Sequence, residues 1–238
     1  MHLHPYPTPA SLTRAVADWL VAYSAEVLAK QARFTIALSG GSTPQALYEL
    51  LATEEFRRKI AWESWHVFWG DERGVSFNDE RSNARMAFHA LLDYVPVPSS
   101  QIHVLRTDNL PKLVARDYEA LLHTYFDNQT TTFDLVLLGL GEDGHTLSLF
   151  PGTDVVNEER AWVRAVYLDS QEMNRLTLTA PLVNRAACVA FLVTGAKKAP
   201  VLKEVLEGIY QPEKYPSQRI QPLNGNLHWF VDEAAKPD

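Results

Sequence analysis

The chain has 238 residues, of which 46% are hydrophobic and 21% charged, the composition of a globular protein large enough to fold without disulfides or structural metals. The formal net charge is −7 and the lysines and arginines are scattered, which argues against nucleic acid as a partner. The single cysteine, Cys188, lies in an apolar run, so we expect a buried thiol and a reducing, cytoplasmic setting.

The N-terminal stretch MHLHPYPTPAS lacks the basic start and apolar centre of a signal peptide. No apolar run reaches the roughly 18 residues of a membrane span, so no membrane partner is expected. His2 and His4 are candidate metal ligands, but a frayed polar tail is the better interpretation. No other spacing in the chain predicts a metal site.

Helices and strands alternate in the first half of the chain. The pattern predicts a helix over Ser11–Gln31 capped by Ser11, a strand over Phe34–Ser39, a helix starting at Thr43 and Pro44, a strand over Trp65–Gly70, and a helix from about Asn83 to Asp93. The polar segment between the last two, DERGVSFNDERSN, is predicted to be a loop.

The alternation continues in the second half. It predicts a strand at Ile102–Leu105, a helix at Pro111–Phe126, a strand at Phe133–Gly139, three strands in AWVRAVYL, RLTLTA and CVAFLVTG, a helix at Ala199–Glu207 and a final strand LHWFV. Many of the strands are apolar throughout, which indicates a parallel or mostly parallel sheet covered on both faces. With no repeat and no linker, we expect one α/β domain over residues 1–238.

Polar clusters follow four of the predicted strands. They are Ser39–Thr43, Asp71–Arg73, Gly139–Ser148 and Gly195–Lys198. In open α/β sheets ligands bind beyond the carboxyl ends of the strands. The agreement in placement of these clusters therefore predicts a shared site.

The cluster SGGSTP leaves a strand and enters a helix. Its two glycines allow close approach of a ligand, while Ser42, Thr43 and the first amides of the helix face whatever is bound, an arrangement that suits phosphate. It is neither a Walker loop nor a dinucleotide fingerprint. The alternative is a tight strand-to-helix turn with an ordinary cap.

Three further candidates carry charge. In GAKKA, Lys197 and Lys198 either complete an anion site or are solvated surface lysines, and Arg175, at the start of a strand, leaves the same two possibilities open. In the first DER, Asp71 and Arg73 either belong to a solvated loop tip or act on a substrate, with Asp71 orienting a hydroxyl and Arg73 stabilising developing negative charge.

His145, in GEDGH, is the best candidate for a general base because histidine changes protonation near neutral pH. The preceding GEDG is expected to supply free amides for an oxyanion. A serine elbow G-x-S-x-G is absent, which favours direct attack by water over a covalent acyl-enzyme. A loop histidine bonded only to backbone is the alternative.

Five segments in order, SGGSTP, DERGVSFNDERSN, LGLGEDGHTLSLFPG, RLTLTAPLVN and GAKKA, resemble the 6-phosphogluconolactonase family over about Phe34–Val231. The resemblance implies a Rossmann-like three-layer α/β/α domain. It also implies hydrolysis of 6-phospho-D-glucono-1,5-lactone to 6-phosphogluconate in the oxidative pentose phosphate pathway, without a cofactor. The family commonly has proline where this chain has Ser76, which concerns the stiffness of the loop and not the chemistry.

The resemblance also implies roles for individual residues. His145 is the base, Arg73 and Asp71 lie at the reacting end, and Arg175 and Lys198 bind the phosphate. The remaining substrate-binding residues are Ser39, Gly40, Gly41, Ser42, Thr43 and Gly144. Lys198, not Lys197, matches the G-x-x-K spacing of the family.

Two other functions remain open. One is an amino-sugar-phosphate isomerase or deaminase, which shares SGGSTP and DGH but differs after the histidine, where this chain reads SLFPG. The other is a sugar-phosphate sensor without catalytic activity. The absence of a DNA-binding extension or basic arm from this sequence counts against it. The expected assembly is a monomer or a weak homodimer.

Overall fold

The computed structural model of the protein describes residues 1–237. In chain order its strands are β1 (His2–Tyr6), β2 (Phe34–Leu38), β3 (Trp65–Trp69), β4 (Asp71–Arg73), β5 (Ile102–His103), β6 (Leu135–Leu138), β7 (Val163–Leu168), β8 (Met173–Leu178), β9 (Val189–Val193) and β10 (Leu227–Asp232). Its α-helices are α1 (Pro9–Leu28), α2 (Ser42–Leu51), α3 (Glu54–Arg57), α4 (Asn83–Ala87), α5 (Pro111–Phe126), α6 (Ala180–Val183) and α7 (Ala199–Glu207).

The main sheet of the described chain has seven strands, all parallel, in the order β1-β10-β9-β6-β2-β3-β5. Every residue of β2, β6 and β9 is buried, so both faces of the sheet are covered. These are the strands whose sequences are apolar throughout, as expected for parallel strands. The predicted Rossmann-like α/β single domain is confirmed.

The strand order reverses direction between β2 and β6. From β2 the chain proceeds to β3 and β5 on one side, and from β6 it proceeds to β9 and β10 on the other. Loops that leave two such neighbouring strands diverge and open a crevice at their carboxyl ends. The two glycine-rich segments, Ser39–Thr43 and Gly139–Ser148, leave β2 and β6.

A separate three-stranded sheet, β4-β8-β7, is antiparallel and corrects two predictions. Asp71–Arg73 is a short strand paired with β8, not a loop tip. Of the three late strands only β9 joins the main sheet. The reason is connection length: β7 and β8 are joined by a four-residue turn, which suits an antiparallel pair, whereas a parallel crossover needs a dozen or more residues.

The N-terminus also differs from the prediction. Instead of a frayed tail, His2–Tyr6 forms edge strand β1, paired in parallel with β10. Pro5 is tolerated there because an edge strand leaves one side unpaired. Helix α1 is capped by Thr8 and not by Ser11, which lies at the third helical position and completes a capping box with Thr8.

The other helices agree more closely with the prediction. Helices α5 and α7 have the predicted bounds, whereas the helix predicted over Asn83–Asp93 is α4 followed by a π-helical turn at Phe88–Leu92.

Cys188 is fully buried, and burial raises the pKa of its thiol to about 12. No helix within residues 1–237 combines the length and apolar character that crossing a membrane requires.

Candidate active site

A cavity of about 260 Å³ opens at the carboxyl ends of β2 and β6, where the strand order reverses. Its lining includes most of the predicted site residues: Ser39, Gly40, Gly41, Ser42, Thr43, Asp71, Arg73, His145 and Lys198. Gly144 and Arg175 are the two predicted residues that lie outside the lining. All four polar clusters of the sequence therefore contribute to one cavity.

The segment Ser39–Thr43 leads from β2 into α2, which begins at Ser42. The φ angle of Gly41 is +102°, a conformation that favours glycine, and no side chain caps the helix. A helix start leaves its first N–H groups without intrahelical acceptors, so these donors are available to an anion. Gly40 is required for space, because a Cβ atom there would lie 1.9 Å from Oδ1 of Asn83.

Lys198 lines the same cavity as this helix start, from the turn before α7. It lines the cavity and is half-buried, whereas Lys197 is exposed and outside it. The Thr43 and Thr194 hydroxyls are 2.7 Å apart and join the two sides. A lysine and a set of helix amides facing one space form a positive site suited to phosphate.

His145 is held by a carboxylate. Its Nδ1 atom lies 2.5 Å from Oδ1 of Asp143, which also accepts the His145 backbone N–H at 3.1 Å. Burial raises the pKa of Asp143, but hydrogen bonding and the charge of His145 outweigh it, and the net pKa is below the usual range. Nδ1–H therefore donates to an ionised acceptor, which leaves Nε2 as the basic atom.

The amides of the GEDGH segment are less free than predicted. The N–H of Gly141 donates to the His145 carbonyl at 2.8 Å, and the N–H of Gly144 donates to the Gly141 carbonyl at 3.1 Å. The loop thus closes on itself. Gly144 has φ +83°, its carbonyl accepts from Ser217, and a Cβ atom there would lie 2.9 Å from the Tyr215 ring. Gly144 shapes the loop from outside the cavity.

Asp71 is buried, 6% exposed, at the start of β4. Its Oδ2 atom accepts from Ser148 Oγ at 2.7 Å and its Oδ1 atom from Asn83 Nδ2 at 3.2 Å. These neutral donors fix the carboxylate without neutralising its charge. It remains an acceptor at the cavity wall.

Arg73 and Arg175 are directly opposite each other in the β4–β8 ladder. Arg73 Nη1 donates to the Arg81 carbonyl at 2.6 Å, Arg175 Nη2 donates to Gln171, and the Nε atom of each is buried with no partner in the described chain. Burial lowers the pKa of Arg175; Asp71 opposes this, and the charge of Arg73 adds to it. An anion would relieve this repulsion.

Three residues of the site were not identified from the sequence. Asp143 had a local signal, a carboxylate two residues before the histidine. Asn83 and Ser148 had none, because their bonds to Asp71 join residues 12 and 77 positions apart. Their alignment depends on how β4, α4 and the β6 loop pack.

Comparison with known proteins places the chain in a family. A family model described as glucosamine-6-phosphate isomerases/6-phosphogluconolactonase matches residues 7–229. The 6-phosphogluconolactonase of Synechocystis sp. is 45% identical over 214 residues, 88% of this chain and 86% of that protein. That of Nostoc sp. is 42% identical over 234 residues, 96% and 94% of the two chains.

A solved structure agrees. The 6-phosphogluconolactonase from Trypanosoma brucei matches with a TM-score of 0.85 at 27% identity, covering 98% of this chain and 97% of that one. Sequence and fold thus give the same assignment over nearly the whole length. The chain belongs to the family of glucosamine-6-phosphate isomerases and 6-phosphogluconolactonases.

Proposed function

We propose that the protein hydrolyses 6-phospho-D-glucono-1,5-lactone to 6-phosphogluconate, the lactonase step of the oxidative pentose phosphate pathway. The observation that carries the proposal is that one cavity joins a carboxylate-held histidine to an uncapped helix start and a lysine. The first is a base for attack on a carbonyl, and the second is a phosphate site. A phosphorylated lactone has both matching ends.

The phosphate binds at the start of α2. The N–H groups beside Gly41 and the ammonium of Lys198 supply donors and positive charge, and Arg175, which pairs in the β4–β8 ladder with the cavity-lining Arg73, adds further positive charge. This end of the substrate does not react. Its binding energy places C1 of the lactone beside His145.

His145 then acts through Nε2. It removes a proton from a water molecule as the water oxygen attacks C1, and the imidazolium that forms is stabilised by the ionised carboxylate of Asp143. Because Nδ1–H is already committed to Asp143, the ring presents the basic nitrogen without a tautomer change. The attack converts the carbonyl into a tetrahedral oxyanion.

Arg73 stabilises this oxyanion. Arg73 lines the cavity, and the bond from its guanidinium to the Arg81 carbonyl fixes the direction of that group, so its charge is in place before the reaction begins. Collapse of the intermediate breaks the bond from C1 to the ring oxygen, and His145 returns its proton to that oxygen. Asp71 accepts a hydrogen bond from a sugar hydroxyl.

The test uses freshly generated 6-phosphogluconolactone and glucosamine 6-phosphate. Because the lactone also hydrolyses spontaneously, the measured quantity is acid release in excess of buffer, which must rise in proportion to protein. The second substrate should release no ammonia. Excess hydrolysis without ammonia supports the proposal; ammonia release would assign a deaminase, and binding without either reaction would assign a sensor.

A further inference from the structure

The chain doubles back immediately after His145. Thr146 and Leu149 form an isolated antiparallel bridge, and the Leu149 N–H donates to the Thr146 carbonyl at 3.0 Å. Between them Leu147 has φ +55°, a left-handed conformation that costs a residue with a Cβ atom roughly 1–2 kcal/mol. Such an outlier beside an active site suggests that the turn serves a purpose.

The turn returns Phe150 to the histidine. The Phe150 ring stacks on the His145 imidazole with centroids 4.0 Å apart and planes inclined by 24°. The backbone of Phe150 is also fixed, because its carbonyl accepts both the N–H and the hydroxyl of Thr153, at 3.2 and 2.7 Å. The imidazole thus lies against an aromatic face whose backbone is held in place.

We propose that Phe150 is a positioning residue for His145, whose ring fixes the plane of the imidazole and stabilises the imidazolium formed during catalysis. The inference rests on the proposed function, in which His145 takes a proton from water. The face of an aromatic ring carries partial negative charge, so it attracts the cation more than the neutral imidazole. Asp143 bonds to the edge of the ring, and Phe150 covers a face.

The charged and titratable groups that share the cavity with His145 or border the stack come from five parts of the chain. They are Asp143 on the histidine's own loop, Asp71 and Arg73 on β4, Arg175 on β8, Lys198 before α7, and Tyr215, which packs on Gly144. The Arg175 guanidinium lies 5.8 Å from the Phe150 ring centroid. Removing the ring therefore takes a favourable contact from the imidazolium and leaves a neighbouring cation less shielded. Both changes make protonated His145 less stable.

The test replaces the aromatic face with an aliphatic one of similar size. We expect Phe150→Leu to lower kcat by about three- to thirtyfold, the range of a cation–π contact. The acid limb of the kcat profile, recorded from about pH 5 to pH 8 across the histidine range, should move to lower pH by roughly half a unit. Phe150→Tyr should restore both. Phe77→Leu is the matched control, since Phe77 is exposed and outside the cavity, and it should change neither.

A lower kcat with an unmoved acid limb would mean that Phe150 only packs, and it would overturn the inference. If Phe150→Leu unfolds, Phe150→Met is measured in its place. An NMR titration of the His145 ring in the wild type and in the variant provides a readout that needs no turnover. A wild type without lactonase activity defeats the proposed function, whereas equal histidine titrations in the two proteins defeat this inference alone.

Discussion

The Nδ1 atom of His145 lies 2.5 Å from Oδ1 of Asp143, and the same carboxylate oxygen accepts the histidine's backbone N–H. Asp143→Asn should therefore lower kcat with little change in KM, because an amide can present N–H to the ring and reverse its tautomer. We expect a loss between about tenfold and 10⁴-fold, the upper figure being that of a catalytic triad whose aspartate becomes asparagine. Steady-state measurement of kcat and KM for Asp143→Asn checks this prediction.

Glu142→Gln is the matched control for Asp143→Asn. Glu142 is the neighbouring carboxylate and is exposed, so the same change of group there should leave kcat unaltered. Equal losses in the two variants would mean that the net charge of the loop matters and not the orientation of the ring. The role given to Asp143 would then be wrong.

Replacing His145, the proposed base, should also lower kcat. His145→Gln should lower kcat by about 10²- to 10⁴-fold, the usual contribution of general acid–base catalysis. Substrate binding should change little, because the helix start and Lys198, which are proposed to hold the phosphate, are untouched. Measuring kcat and KM separately distinguishes these effects, and a variant with wild-type kcat would remove His145 from the mechanism.

Much of the site could be predicted from the sequence because strand ends in a parallel sheet share an edge. The apolar runs of β2, β6 and β9 predict where these strands end. Ser39–Thr43, His145 and Lys198 follow those ends and therefore come together. The preference for Lys198 over Lys197 came from resemblance, and the structure places Lys198 at the cavity and Lys197 in solvent.

What could not be predicted depends on contacts between distant segments. Asp71 and Arg73 have the composition of a loop, and only the pairing of β4 with β8 makes them a strand. The same pairing sets Arg73 opposite Arg175. The prediction of free amides in GEDG does not hold for Gly141 and Gly144, because the compact loop supplies carbonyl acceptors for these two N–H groups.

The proposed phosphate site predicts a difference between adjacent lysines. Lys198→Ala should remove a charge-assisted contact worth roughly 1.5–3 kcal/mol, or about ten- to 150-fold in kcat/KM. Lys197→Ala, which removes the same charge one residue away, should be nearly neutral. Gluconolactone, which lacks the phosphate, should be a poor substrate for both lysine variants. A damaging Lys197→Ala and a silent Lys198→Ala would contradict the assignment.

The last prediction concerns stability and involves histidines away from the cavity. Burial, with His66 nearby, lowers the pKa of His103 to about 4, and burial, with His4 and His2 nearby, lowers that of His228 to about 4. An unfolded histidine titrates near 6.5. Between these values the unfolded chain binds more protons than the folded one, so stability falls as the pH falls below about 6.5.

Each ring should contribute about 1 kcal/mol to this loss by about pH 5, a figure discounted because both rings are partly exposed. Urea unfolding at a series of pH values measures how the free energy of unfolding falls with pH. His103→Gln should make the dependence shallower, whereas His89→Gln, at an exposed position, should leave it unchanged. Ordinary carboxyl groups titrate below the range from about pH 5 to pH 6.5. If the wild type and His103→Gln lose the same stability in this range, His103 is protonated as readily in the folded protein as in the unfolded chain, and the prediction is wrong.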